Sequence, residues 1–310
     1  MPKIELADIA VSFGTTVDDL RYHCQEIISN TDLNYSVIDG VERDKLILDI
    51  LKRIDADKQI IGDSKRQLTW EKGWRENLND FIASNYDLNK LIPKFIRLNQ
   101  PIRFGAKYIK PSNPNFELDY FKIFRLWVFK KYFAEYKNIY EFGCGTGFNL
   151  VALAKLYPEK KLYGLDFVGP PLELIQKIAQ HYNYKIYGHL FDMSQPDLKF
   201  RIEKGSAIFT IGSIEQLASK FEPFMDYLLE QSISLAVHVE PVIELYDESN
   251  LVDFLAIKFQ GKRGYTKTFL PYLKGLELKK VIEIVKIKRL FFGSLFMEGY
   301  NCIIWRPVER

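Results

Sequence analysis

Cysteine is scarce: only Cys24, Cys144 and Cys302 occur in 310 residues. An odd, scattered set builds neither a disulfide framework nor a metal-ligand spacing. Charge of one sign is not in excess either. Forty-three basic residues face 40 acidic ones, a formal net charge of +3. That balance excludes a general phosphate-binding footprint and leaves room only for a local basic patch. No uncharged apolar run approaches the length of a membrane span. The opening MPKIELADIAVSFG lacks a basic segment followed by a long apolar one, so no secretory signal is expected. A reducing cytoplasm is the expected setting. Repeats and low-complexity segments are missing as well.

Aromatic residues, by contrast, make up 15% of the chain, which argues for packed cores and against disorder. The length suffices for one large α/β domain and an accessory segment of about a hundred residues. Residues 1–100 read as mostly helical. TTVDDLRYHCQEIIS, ERDKLILDILKRIDAD and WRENLNDFIASNYDLNKLIPKFI all space their apolar residues near 3.6. PIRFGAKYIKPSNPN, 101–115, holds three prolines and a glycine and reads as a loop, a hinge or lid between a cap and the rest. ELDYFKIFRLWVFKKYFAEY returns to helical spacing. From 138 onward, short apolar runs alternate with helical ones, the pattern of a parallel, doubly wound sheet. IEQLASKFEPFMDYLLEQS reads as one helix. Near the end, LELKKVIEIVKIKRLFF and YNCIIWRPV read as two strands joined by GSLFMEG. The chain therefore divides into an N-terminal helical cap, 1–115, and an α/β domain, 116–310.

IYEFGCGTGFNL, 139–150, sets three glycines between a strand and a helix. The spacing is G-x-G-x-G rather than the dinucleotide pattern G-x-G-x-x-G. Glycine allows a tight turn and a close backbone approach there. The helix that follows offers free N–H groups and a positive dipole end. Three acids accompany the loop: Glu141 before it, Asp166 ending the second strand and Asp192 ending the third. Ligands of open α/β sheets bind at those carboxyl ends.

EFGCGTG, LYGLDF, HLFDM and AIFTIGSIEQL together resemble class I S-adenosylmethionine-dependent methyltransferases over roughly residues 116–306. The terminal hairpin fits that fold, whose last strand is antiparallel. The resemblance implies a mostly parallel seven-stranded sheet, Rossmann-like, closed by an antiparallel C-terminal hairpin. It also implies S-adenosyl-L-methionine as cofactor. Glu141 would hold the methionyl ammonium, and Gly143, Gly145 and Gly147 would pass beneath it. Asp166 would bind the ribose hydroxyls with Phe167 against the adenine, and Asp192 and Met193 would meet the adenine edge. Thr210 and Gly212 would border the sulfonium, and Tyr120 would close over the cofactor. The surplus of acids suits a ligand with two positive centres and suits a pyrophosphate poorly, which disfavours a nicotinamide-dependent oxidoreductase.

An alcohol acceptor benefits from a base. His238 and Glu240 in HVEP lie two apart on a strand and share a face. His238 has the ordinary pKa nearest neutrality, so it is the candidate base, with Glu240 or Glu215 orienting it or the substrate. HVE supplies two metal ligands and no third is near, so no metal is expected. Trp74, Arg103 and Tyr108 in the cap and Arg263 in the basic loop KRGY are candidate substrate contacts. The signature NPPY is absent after the fourth strand, which argues against nucleobase amino groups and, with the charge balance, against a nucleic-acid substrate. A small molecule or saccharide hydroxyl is the expected acceptor. The alternatives are an RNA or protein methyltransferase, and a non-catalytic binding protein on the same fold.

Overall fold

The computed structural model describes residues 2–61 and 66–308. The N-terminal part holds α1 (Leu6–Phe13), α2 (Val17–Ser29), β1 (Tyr35–Val37), α3 (Gly40–Ala56) and α4 (Arg66–Ala83). Gly14, at φ +64°, ends α1, and Thr16 caps α2 by accepting from the Asp19 amide. β2 (Ile102–Phe104) and β3 (Lys107–Pro111) come next. The loop expected over 101–115 is thus corrected. Gly105 and Ala106, both at φ +58°, form the two-residue turn of a hairpin. The prolines that suggested a loop fall outside or at the ends of these strands, where a missing N–H does least harm.

The remaining elements alternate. α5 (Phe116–Tyr132) leads into β4 (Asn138–Phe142), α6 (Phe148–Leu156), β5 (Lys161–Asp166), α7 (Gly169–Tyr182) and β6 (Ile186–Leu190). β7 (Ala207–Ile211), α8 (Glu222–Glu230), β8 (Leu235–Glu240), α9 (Leu251–Arg263) and α10 (Phe269–Leu278) continue the chain. β9 (Ile282–Lys288), β10 (Phe292–Gly293) and β11 (Asn301–Pro307) end it. Two expected elements are shorter than their apolar spacing suggested. The helix expected from Ile214 is interrupted where Ala218 takes φ +53°, and LELKK begins in α10 rather than in a strand.

Seven strands form one sheet in the order β6-β5-β4-β7-β8-β11-β9. β4 to β8 pair in parallel, and β11 runs antiparallel to both its neighbours. This is the Rossmann-like, mostly parallel sheet with an antiparallel C-terminal pair that the sequence leads one to expect. The sheet grows outward from β4 on one side through β5 and β6, and on the other through β7 and β8. The loops leaving β4 and β7 therefore diverge and open a crevice at their carboxyl ends. α5, α6 and α7 cover one face together with α1 and α2, and α8 and α10 cover the other. α5 is buried on nearly every side, because α2 lies against it and Phe129 meets Phe209 of the sheet. No helix among the described residues is long and apolar enough to cross a membrane.

β1, β3, β2 and β10 make a second, four-stranded sheet, so a strand from the C-terminal region completes a sheet begun in the N-terminal one. A buried ionic network secures this junction. Arg103, on β2, has no exposed surface and donates to the Val252 carbonyl (2.8 Å) and to Asp253 Oδ1 (3.1 Å). Arg289 reaches the same oxygen at 2.6 Å and Glu298 at 2.7 Å. Removing one member of such a network strands a buried charge. Asp253→Ala is expected to cost about 3–5 kcal/mol of stability in urea unfolding. A loss below about 1 kcal/mol, the usual value of an exposed pair, would show that the network is not what ties the two sheets together.

Candidate functional site

β4 ends at the glycine loop, and the loop folds as it does because of what presses on it. Gly143 and Gly145 adopt φ +73° and +50°. A Cβ at Gly143 would stand 2.5 Å from Ser213 Cβ, and one at Gly145 would stand 2.9 Å from the Trp74 ring. The loop is clasped between the segment after β7 and α4. Its amides are fixed from below: Gly143 and Cys144 donate to the Leu165 carbonyl, at 2.7 and 3.0 Å. Gly145 donates to Asp166 Oδ2 at 3.0 Å. Gly147 caps α6.

Three carboxylates stand around this loop. Glu141 is 1% exposed, and burial pushes its pKa up to about 8. Its Oε1 accepts from Asn149 Nδ2 at 2.7 Å, while its Oε2 is buried without a hydrogen-bond partner. Asn149 accepts in turn from Arg125 Nη1 at 3.0 Å. Arg125, buried on α5 between the rings of Phe121 and Phe148, is pushed down to about 10 by burial. Asp166 is pushed up to about 6 by burial, against the pull of its backbone hydrogen bonds. Asp192 accepts at Oδ1 from both the amide and the hydroxyl of Ser194, each at 2.7 Å. None of the three acids forms an ion pair among the described residues.

Two adjoining cavities fill the crevice. The larger, ≈ 260 Å³, is walled by Asp166, Phe167, Asp192, Met193, Ser213 and Gln216. The smaller, ≈ 70 Å³, is walled by Phe95, Phe121, Glu141, Phe148, Asn149 and Tyr300. Trp70, Trp74, Gly143 and Gly212 border both. The two tryptophans lie one helical turn apart on α4 and stack at 5.5 Å. α4 therefore roofs the crevice with aromatic surface.

Of the residues singled out in the sequence, Glu141, Gly143, Gly145, Asp166, Phe167, Asp192, Met193, Gly212 and Trp74 meet at these cavities. Others do not. Thr210 is fully buried and bonded to His238 Nδ1 at 2.9 Å, so the bordering residues at the end of β7 are Ile211 and Gly212. Tyr120 is stacked on Phe292 inside the core, and its neighbour Phe121 faces the cavity instead, one step round the helix.

The environment of His238 does not fit a base. Trp305 Nε1 is a donor only, so at 3.0 Å it occupies the lone pair of His238 Nε2. The other ring nitrogen then carries the proton and donates to Thr210. The ring has no exposed surface, and burial drops its pKa to about 3. Glu240 receives the Ser213 amide on both oxygens, at 3.2 and 3.0 Å, and braces the segment after β7 from behind. Burial and the nearby Glu215 hold it well above the ordinary carboxyl range. Glu215 and Glu240 line a separate minor recess with Glu244 and Thr266.

The expected substrate contacts in the cap are also redirected. Arg103 belongs to the buried network, and Tyr108 is packed in the cluster under α3 and α9. Arg263 pairs with Asp57 at 2.7 Å. Sequence reasoning missed Trp70, Phe95, Phe121, Arg125, Phe148, Asn149 and Tyr300. The available signals were the four-residue spacing in WEKGW and two polar residues, Arg125 and Asn149, inside apolar helices.

No protein-family model matches the chain, and no curated protein matches it. Among solved structures, it is similar to an rRNA methylase from Escherichia coli, at 10% identity and a TM-score of 0.45, over 98% of this chain and 100% of that one. It is similar to human N-acetylserotonin methyltransferase in complex with SAM, at 14% identity and a TM-score of 0.41, over 63% of this chain and 56% of that one. The [4+2]-cyclase SpnF gives 12% identity and a TM-score of 0.45, over 60% and 81%. At these identities and scores the likenesses carry no argument about activity, and the topology stands on its own strand order.

The buried acids set a pH dependence. Asp166 and Glu141 titrate higher in the folded chain than in the unfolded one, so folding binds protons. Their favourable contribution is complete below the unfolded carboxyl range and is lost as pH rises through about 6 and then about 8. The melting midpoint of the ligand-free chain should fall between about pH 5 and pH 9, and Glu141→Gln should flatten the upper part of that fall. Calorimetric melting checks both, and a midpoint rising across the window in the parent chain would contradict the assignment.

Proposed function

We propose that the chain is an S-adenosylmethionine-dependent methyltransferase (EC 2.1.1) acting on a hydroxyl of a small molecule or saccharide. The observation that carries this reading is the set of three carboxylates, from the ends of β4, β5 and β6, around one crevice. None of them is in an ion pair among the described residues, and Lys220 is the one basic residue among those described in the lining. Such a lining attracts a cationic nucleoside and repels a pyrophosphate. The orphaned Glu141 Oε2 fits an ammonium, and the cradle at Gly143 and Gly145 admits backbone contact that no side chain would allow.

On this reading Glu141, steadied through Asn149 by Arg125, holds the methionyl ammonium. Asp166 accepts from the ribose hydroxyls, with Phe167 beside the base, and Asp192 and Met193 meet the base edge. The bound cofactor supplies a methyl group on a sulfonium, activated for direct displacement. The chain's own work is alignment, worth about 7–11 kcal/mol in favourable cases. Trp70 and Trp74 exclude water from above. The acceptor shares the smaller cavity with the methionyl ammonium at Glu141, against walls from α4, the segment at Phe95, α5, α6 and Tyr300. A space of ≈ 70 Å³ favours a small acceptor over RNA or protein, which need an extended groove. His238 is not carried forward as base.

Titration of S-adenosylhomocysteine and S-adenosylmethionine by calorimetry tests the cofactor assignment. Binding to the parent chain is expected, and Asp166→Ala should weaken it at least about tenfold, the loss of one or two charge-assisted hydrogen bonds. Because the cation favours ionised acids, affinity for S-adenosylmethionine should rise with pH from 6 toward 8, by up to about tenfold per unit per group. Unchanged affinity in Asp166→Ala would sink the site assignment.

A further inference from the structure

With His238 turned away, the acceptor's proton needs another destination, and the smaller cavity offers one. Tyr300 lines it together with Ile211, Gly212 and Glu141. Its ring stacks on Phe121 at 4.9 Å, and its hydroxyl donates to Glu117 Oε1 at 3.0 Å. Glu117, in the first turn of α5, is 4% exposed. Its other oxygen accepts from Gln100 Nε2 at 3.0 Å. Among the described residues it forms no ion pair, and Tyr300 and Gln100 are the only polar groups bearing on it from α5, the C-terminal segment or the cap.

We propose that Glu117, acting through the Tyr300 hydroxyl, receives the acceptor's proton, and that the acceptor is a planar aromatic ring carrying a single hydroxyl in the smaller cavity. This rests on the methyltransferase reading above. The choice of ring over sugar follows from the walls. Phe95, Phe121, Phe148, Trp70, Trp74 and Tyr300 present apolar faces. Of the polar side chains there, Asn149 is engaged with Glu141 and Arg125, and Thr146 with the Leu91 carbonyl, while the free Glu141 Oε2 is the oxygen that takes the methionyl ammonium on the reading above. A sugar would bury several hydroxyls without partners, at about 1–3 kcal/mol each. A phenol has one, and Tyr300 Oη, which already donates to Glu117, can still accept it.

The balance closes. The acceptor's O–H bond is replaced by an O–CH₃ bond, and the donor's sulfonium becomes a thioether. The released proton passes to Tyr300 Oη as Tyr300's own proton passes to Glu117 Oε1. Tyr300 stays neutral throughout, in keeping with a phenol held well above its ordinary pKa by burial beside Glu117. Glu117 ends protonated and later returns the proton to water. Burial raises Glu117 to about 7, so it is ionised, and able to accept, on the alkaline side of neutrality.

The full chain, saturated with S-adenosylhomocysteine, is titrated with 4-methylphenol and with methyl glucoside, and turnover is then followed with S-adenosylmethionine. The phenol should bind the loaded chain and the glucoside should not. The phenol should be methylated at a rate that rises with pH through about 7. Glu117→Gln should keep binding of S-adenosylhomocysteine and of the phenol, lower kcat by about 10²-fold or more and abolish the rise with pH. Tyr300→Phe keeps the ring and its stacking, so it reads the same relay should Glu117→Gln fail to fold, and it should show the same loss. Preference for the glucoside, no binding of the phenol to the loaded chain, or retention of rate and pH profile in both variants overturns the proposal. Failure of the parent chain to bind S-adenosylhomocysteine is a different result and overturns the methyltransferase reading with it.

Discussion

Carboxyl groups drawn out of water with no ion-pair partner among the described residues are the constraint around which this structure is arranged. Taking a carboxylate out of water costs several kcal/mol unless hydrogen bonds or a cation offset it. Here Glu141, Asp166 and Asp192 stand at the carboxyl ends of the adjacent parallel strands β4, β5 and β6, on one side of the point between β4 and β7 where the sheet order reverses. Asp166 is partly offset by backbone amides of the loop it supports, and Asp192 by Ser194. Glu141 has the amide of Asn149 on one oxygen and no hydrogen bond on the other, with the Arg125 charge acting on it from behind Asn149. A fold that tolerates this in the free state holds part of its electrostatic complement in reserve for a ligand. The same burial accounts for the raised carboxyl pKa values and for the affinity toward a cationic nucleoside on the reading proposed.

The glycine loop makes that reserve usable. Its left-handed turns bring backbone, rather than side chains, against the crevice. The contacts that forbid a Cβ come from two different directions, Ser213 after β7 and Trp74 on α4. The loop is therefore shaped by the sheet's switch point on one side and by the N-terminal part on the other. α4 is a structural part of the crevice, since it presses directly on Gly145 and walls both cavities.

The glycine loop and its three acids, the donor half of the site on the reading proposed, were legible in the sequence, and the residues of the proposed acceptor half were not, for a physical reason. Glycines and acids at strand ends have few structural alternatives: a glycine at φ +73° and a carboxylate at the end of a buried strand are conspicuous against the apolar pattern around them. Phe95, Phe121, Phe148 and Tyr300 are not conspicuous, because each is what any core position would hold. Only the fold brings together four rings separated by more than two hundred positions. The strand hairpin over 101–115 was hidden by prolines at its ends, and the α/β alternation after 138 was plain because each run had a single period. His238 misled because its one-sided pairing with Glu240 was read correctly on the strand, while the face it shares is filled by Trp305 and Thr210.

On the reading proposed, one helix links the two halves. Glu117, Phe121 and Arg125 follow one another at four-residue steps along α5, a stripe that faces the crevice. Arg125 steadies Asn149 and through it Glu141, on the donor side. Phe121 lies under Tyr300, and Glu117 holds its hydroxyl, on the acceptor side. α5 is wedged between α2 and the sheet, so its freedom to shift or rotate is small. Methyl transfer by direct displacement demands that donor and acceptor hold one alignment, and side chains on a single rigid helix keep that alignment better than side chains on separate loops. The aromatic density of FELDYFKIFRLWVF, which in the sequence marks only a well-packed helix, gives this helix its rigidity and keeps Glu117 and Arg125 one turn either side of Phe121.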